Sequence, residues 1–409
     1  MIIGGIDLKA YIGVEDVYAM EIVDAYGSPA LKVEVFAEGG YAGSAAVSTR
    51  TLKSRGETNE RESEYTAGGC AGKINGAVCD NLAGMNIIDQ TKIDRKLKEP
   101  EVSGGLGSNI ILALSAACAK AAAAAVGLET YRYLGGAGSV KLPLPMMNVI
   151  SGGADEKSPL NYEKIMMIPV GSSSFSEGVR NCAAVCNRLK ADLADKGYSV
   201  LAAPDGSFAP NMKNEREAFD YVCRAITRCG FRLTEDFCLA VDCGAENAWR
   251  HARSFEEENM YYFPKQNRMA DADRLISDLV SYCGKYPIIS AENVVSDSDE
   301  RGLAAAYDKL GSRIQLAGFK TDLSSSFDDY NSVIVSPYRI GTVTDILDFS
   351  AKAVRSGFKT VFSSDGDGLD ETFIADLAVA ANSGQIKIGA LSGGGNAAKY
   401  NRLLEIEKG

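Results

Sequence analysis

The chain is poor in the residues that most often announce chemistry. It holds one histidine, His251, and one tryptophan, Trp249, among 409 residues. A lone histidine excludes the His-rich ligand sets of zinc enzymes and a second imidazole for relay work. Basic residues are also in deficit, 43 Lys and Arg against 54 Asp and Glu, for a net charge of −11. A nucleic-acid surface carries a basic excess, and anionic membranes attract one, so neither partner is expected. No apolar run is expected to span a bilayer, because Asn109, Ser115 and Lys120 interrupt the Ala-rich stretch 110–126. The opening MIIGGIDLKAYIG has no charged segment ahead of a long apolar core, so no signal peptide is expected and the cytoplasm is the expected location. No GxGxxG or Walker pattern marks a dinucleotide or phosphate loop.

Ten cysteines are present, but they lie scattered among small apolar neighbours without framework spacing. They read as small core residues. Cys182 and Cys186, four apart on an expected helix, have no second pair to complete a zinc site.

The rest is ordinary for a globular protein, 46% apolar and 24% charged, and the length suggests two domains. Residues 1–60 alternate apolar and polar in runs such as Ile3–Leu8, Val17–Val23 and Leu31–Phe36, an antiparallel meander punctuated at Gly27-Ser28-Pro29. Thr49–Ser63 is polar and charged and reads as a surface loop. From Ala71 the pattern becomes helical, with Ile87, Ile93 and Leu97 on one face, a break at Gly104–Gly107, and a long helix of small residues over Ser108–Val126. A boundary near Gly138 divides an α+β capping domain, 1–138, from a second domain, 139–409.

Beyond it, short apolar runs alternate with amphipathic stretches, including strands at 144–150, 164–170, 200–203, 237–241, 287–290, 314–319, 332–336, 360–363 and 385–389. Alternation of this kind predicts parallel βα units, and about eight of them suit a closed barrel. Two runs end in an acid: Phe237–Val241 before Asp242, and Pro287–Ser290 shortly before Glu292. Chemistry in such barrels sits at the strands' C-terminal ends. Two carboxylates facing each other across the mouth would suit a hard divalent cation, whereas either acid alone reads as a cap. Gly393-Gly394-Gly395 ahead of a helix is a weak anion signal.

Several ordered motifs resemble the enolase family: Pro145-Met146-Met147-Asn148-Val149-Ile150 with Gly152-Gly153, Phe208-Ala209-Pro210-Asn211, Ile340-Gly341-Thr342, Gly384-Gln385-Ile386-Lys387, and Lys399-Tyr400-Asn401-Arg402-Leu403-Leu404. Gly27-Ser28-Pro29 and Leu106-Gly107-Ser108-Asn109 extend the likeness into the first domain. The resemblance implies a (β/α)8-type barrel with an N-terminal α+β capping domain, a homodimer or higher homo-oligomer, Mg2+, and the glycolytic lyase reaction between 2-phosphoglycerate and phosphoenolpyruvate. It places metal-binding carboxylates at Asp242 and Glu292, and a substrate-contacting lysine of the eighth strand at Lys399.

Elsewhere the family's site positions fall on altered residues. The third metal carboxylate falls on Phe319, with Lys320 next to it, and the catalytic lysine falls on Ser336. No lysine occurs between Lys320 and Lys352 to restore that base. The phosphate-binding His-Arg-Ser run falls on Ser364-Asp365-Gly366, the active-site histidine near Asp155, and the paired glutamates on Lys164 and Asp205. The expected site therefore comprises Asp205 and Lys399 as catalytic groups. Lys164, Lys320, Lys399, Ser364, Asp365 and Asp155 are expected around the substrate, and Mg2+ on Asp242 and Glu292. Expected chemistry is hydro-lyase action on a carboxylate or phosphorylated acid other than the family's own. The alternative is a catalytically inactive scaffold that binds ligands or partners.

Overall fold

A computed structural model describes residues 11–49, 66–139, 141–152, 158–319, 329–366 and 368–409. Its contacts divide the chain into two compact units. The first comprises Met1–Val140, Pro337–Asp348 and Asp367–Ala381, and the second Lys141–Ser336, Phe349–Gly366 and Asn382–Gly409.

In the first unit β1 (Val14–Val23), β2 (Pro29–Ala37) and β3 (Tyr41–Ser48) form an antiparallel sheet in sequential order, the meander expected from the alternation. Ile3–Leu8, also expected as part of it, lies outside the described residues. Asp24 makes the first turn: its carboxylate accepts from the backbone N–H of Tyr26 and Ser28, and Gly27 supplies the positive φ of 73° that a side chain would resist. Asp89 caps the helix Gln90–Leu97 by accepting from Lys92 N–H, and that helix buries Ile93 and Leu97 completely.

The helix Ser108–Ala125 lies against β3, and among the described residues it alone is long and apolar enough to cross a membrane by length and composition. The interruptions noted in the sequence do not lower it beneath that threshold. Instead, most of it is buried inside the unit. Small residues make this approach possible: a Cβ on Gly43 would stand 2.2 Å from the carbonyl oxygen of Ala117.

The second unit is a closed eight-stranded barrel in the order β10-β11-β12-β13-β4-β5-β6-β9. Its strands are β4 (Leu144–Ser151), β5 (Lys164–Ile168), β6 (Cys238–Asp242), β9 (Ile288–Glu292), β10 (Gln315–Phe319), β11 (Ser332–Val335), β12 (Lys359–Ser363) and β13 (Gln385–Gly389). A small hairpin, β7 (Tyr261–Phe263) with β8 (Arg268–Ala270), lies outside the barrel. Met146, Met166, Ile168, Ala240 and Val361 pack together as a fully buried cluster.

Three expectations are corrected here. The barrel is not wholly parallel, because β5 runs antiparallel to both β4 and β6. With about a dozen residues between β4 and β5 and no helix described there, the chain returns against its own direction, as short connections allow. The apolar run 200–203 makes only an isolated bridge, Ala202 to Phe208. The helix Ala245–Arg253, missed in the sequence, directly follows β6 and closes a βα step.

The Gly43 contact gives a stability test. Gly43→Ala should cost about 3 kcal/mol in urea unfolding, because the new methyl meets backbone that cannot rotate away. A loss below about 0.5 kcal/mol would show that strand and helix part more easily than this packing implies.

Candidate functional site

Strand pairing sets four polar side chains in one row at the barrel's C-terminal end. Ser151 pairs with Lys164, Lys164 with Asp242, and Asp242 with Glu292, across β4, β5, β6 and β9. Paired residues share a face of the sheet, so the row lines one side of the wall. Asp242 and Glu292 are neighbours on adjacent strands, which corrects the expectation that they would oppose each other across the mouth.

The charge that meets them comes from β13. Lys387 ion-pairs with Glu292 and reaches 3.9 Å from Asp242 Oδ2. Asp242 and Glu292 are buried, at 4% exposure each, and Lys387 is half-buried, its side chain 14% exposed. Asp242 also accepts from Asn293 Nδ2 at 2.7 Å and from Gly244 N–H at 3.2 Å. Two carboxylates confront one ammonium, and the consequences pull in opposite directions. Burial disfavours the Lys387 ammonium, but Glu292 and Asp242 outweigh it and hold it protonated. Burial pushes the Glu292 carboxyl well above the carboxylate range, and Asp242 adds to that push, more than Lys387 can offset. With both carboxylates ionised the group would be one positive charge short, and the raised Glu292 carboxyl meets that deficit by keeping its proton.

A second cluster centres on Asp205. Its carboxylate accepts from Asn148 Nδ2 at 2.6 Å, Ser151 Oγ at 3.1 Å and Ser207 Oγ at 2.6 Å, and stands 3.3 Å from Lys164 Nζ. Lys164 also donates to Ser151 Oγ at 2.8 Å. Burial opposes ionisation of Asp205, yet Lys164 and these donors bring its carboxyl below the ordinary value.

A third contact joins two altered positions. Ser336, which ends the β11 run, donates to Asp365, and Ser363 Oγ donates to the same carboxylate at 2.8 Å. Asp365 holds a positive φ of 50°, and its charge acts on Lys387. Ser364 turns away from this group, its hydroxyl donating to Ile388 O at 2.9 Å.

Lys399 does not lie on the eighth strand. It sits fully buried on the terminal helix Gly394–Lys408, with Nζ 3.4 Å from Gly395 O. The eighth-strand lysine is Lys387. Its signal was a single charge between two apolar residues, Ile386-Lys387-Ile388, in the middle of a short strand. Asn148, Ser151 and Ser207 were also missed, since a serine or asparagine at a strand end carries no signal of its own. Asp155 and Lys320 lie outside the described residues.

Among the described residues no group of three or more His, Cys, Asp or Glu is arranged to hold a metal ion. Phe319 ends β10 where a third carboxylate was sought. The two acids present still suit a hard cation: they are adjacent oxygen donors, buried, and short of positive charge once both are ionised. Mg2+ commonly takes only one or two protein carboxylates and keeps several waters.

Two family models match the chain, "Enolase, N-terminal domain" over residues 14–134 and "Enolase, C-terminal TIM barrel domain" over residues 139–409. A relative from Campylobacter lari, named "Enolase", is 35% identical over 413 residues, covering 96% of this chain and 97% of its own.

Two variants test the charge balance. Lys387→Met should destabilise the protein by about 3 kcal/mol, because two buried carboxylates lose their cation. Adding Glu292→Gln to it should recover part of that loss; a double variant no more stable than the single one in urea unfolding would refute the ion-pair account. Asp205 supplies a pH test. Its folded carboxyl lies below the unfolded value, so its contribution is present above pH 4 or so and is lost as the pH falls through the folded value. Asp205→Asn should therefore flatten the acid limb of the stability profile between about pH 5 and pH 2, and an unchanged limb would rule this out.

Proposed function

The chain belongs to the enolase family, and we propose that it is a divergent carbon–oxygen lyase acting on a carboxylate substrate other than the family's phosphorylated one. The observation that carries this reading is the Asp242–Glu292–Lys387 group, an arrangement fit to bind a cation and a substrate carboxylate together. Asp242 and Glu292 would hold Mg2+. When bound, the ion would stabilise the charge that develops as a proton leaves the carbon beside the carboxylate. Lys387 supplies a protonated Nζ to bind and orient that carboxylate. Lys164, aimed by Asp205 and Ser151, holds a proton at Nζ for the departing oxygen.

Substrate preference follows from Ser336 and Asp365. The proton leaving carbon would pass to Ser336 Oγ as Ser336 gives its own proton to Asp365, and so weak a base requires a carbon acid more acidic than that of 2-phosphoglycerate. Asp365, beside the site, repels a phosphate dianion and suits an ammonium or a neutral polar group on the substrate. The same contact supports a second reading. With Ser336 and Asp365 satisfying each other, the barrel could bind a ligand without turning it over.

Calorimetry with Mg2+ and an enol-absorbance assay with 2-phosphoglycerate test the proposal. Binding heat is expected in the wild type and its loss in Asp242→Ala; equal heats in the two would remove the metal. Turnover of 2-phosphoglycerate should fall at least about a hundredfold below that of the Campylobacter lari relative, the low end of what a general base contributes. Comparable turnover would overturn the altered specificity.

A further inference from the structure

Outside the barrel wall, at the same end as the polar row, lies a cavity of about 360 Å³. That volume falls within the range of small-molecule pockets. Three aromatic residues, Tyr162, Phe263 and Tyr282, line it. Its charged lining comprises Lys213, Arg216, Arg268 and Arg274 against Glu215 and Asp278, four cations to two acids and so an excess of two.

The two acids are already engaged. Glu215 accepts from Asn161 N–H at 2.7 Å, and Asp278 pairs with Arg268 at 3.3 Å and with Arg274 at 2.9 Å. Lys213 and Arg216 form no ion pair among the described residues. Arg268 lies 5.0 Å from the centroid of the Phe263 ring, and its buried Nε has no hydrogen-bond partner. A folded protein seldom leaves a buried guanidinium donor unmet, and an oxyanion is its natural acceptor.

We infer that this cavity binds a small organic dianion with a flat apolar part, of the class of an aryl phosphomonoester. The phosphoryl group meets the excess of two positive charges, and the ring packs on Tyr162, Phe263 and Tyr282. The position gives such a ligand leverage on the barrel. Cys243 lines the cavity and directly follows Asp242, Val294 lies two residues after Glu292, and Tyr162 lies two residues before Lys164. An occupant would therefore touch residues within two positions of three strand ends that carry the candidate site.

Titration of phenyl phosphate into the full chain, followed by calorimetry, tests the inference. Saturable one-site binding is expected in the wild type. Arg216→Glu and Lys213→Glu, both at exposed positions, should each weaken it at least about tenfold with thermal stability unchanged. Lys387→Met should leave it intact. Absent saturation, wild-type affinity in both charge-reversal variants, or loss of binding in Lys387→Met would overturn the assignment, the last by moving the anion into the barrel mouth. Inorganic phosphate should bind more weakly than phenyl phosphate; equal affinities would remove the aromatic part of the claim.

Discussion

Two carboxylates that cannot both stay charged without help set the terms for the barrel's open end. Asp242 and Glu292 are fixed side by side by strand register, not by loop conformation, so neither can withdraw. Their repulsion in a buried setting must be met by cations, and the chain supplies one, Lys387, from β13. In the barrel order β13 is four strands away from β9 in either direction. The ion pair therefore crosses the interior, tying opposite walls at the level where substrate would bind. One ammonium balances only one of the two carboxylates, so Glu292 keeps its proton, and a cation that met both acids would have to displace it.

The altered positions make sense as a set. A serine in place of a lysine base would leave an isolated hydroxyl, and an aspartate in the phosphate position would leave an unpaired acid. Here Ser336 donates to Asp365, so each answers the other. Lys164 and Asp205 do the same, a reversed charge on one side and a shortened acid on the other making a pair at 3.3 Å. Such reciprocity gives each of these polar side chains a partner within the site.

Much of the fold was legible because buried strands and amphipathic helices leave periodic marks. The acid-terminated runs before Asp242 and Glu292 pointed to the strand ends without any structure. What escaped was of a different kind. Antiparallel β5 looks like any other short apolar run, since strand direction depends on the connection and not on the strand's composition. Placement of Asp242 beside Glu292 depends on which strands pair, which periodicity cannot give. Lys399 was mistaken for the eighth-strand lysine because a motif match fixes neighbours in sequence, whereas the site depends on which side of β13 a residue occupies.

Lys387 and Lys399 make the physical distinction plain. Both lie near the chain's end, but Lys399 sits fully buried on a helix with its Nζ 3.4 Å from Gly395 O, one helical turn back. Lys387 sits mid-strand, where alternation turns its side chain inward toward two acids. An ammonium that faces two carboxylates at once is the kind of perturbed group that marks a candidate functional site. By that criterion the proposed reaction centres on the line from Lys387 to Glu292. Around it stand two further polar pairs, Lys164 with Asp205 and Ser336 with Asp365.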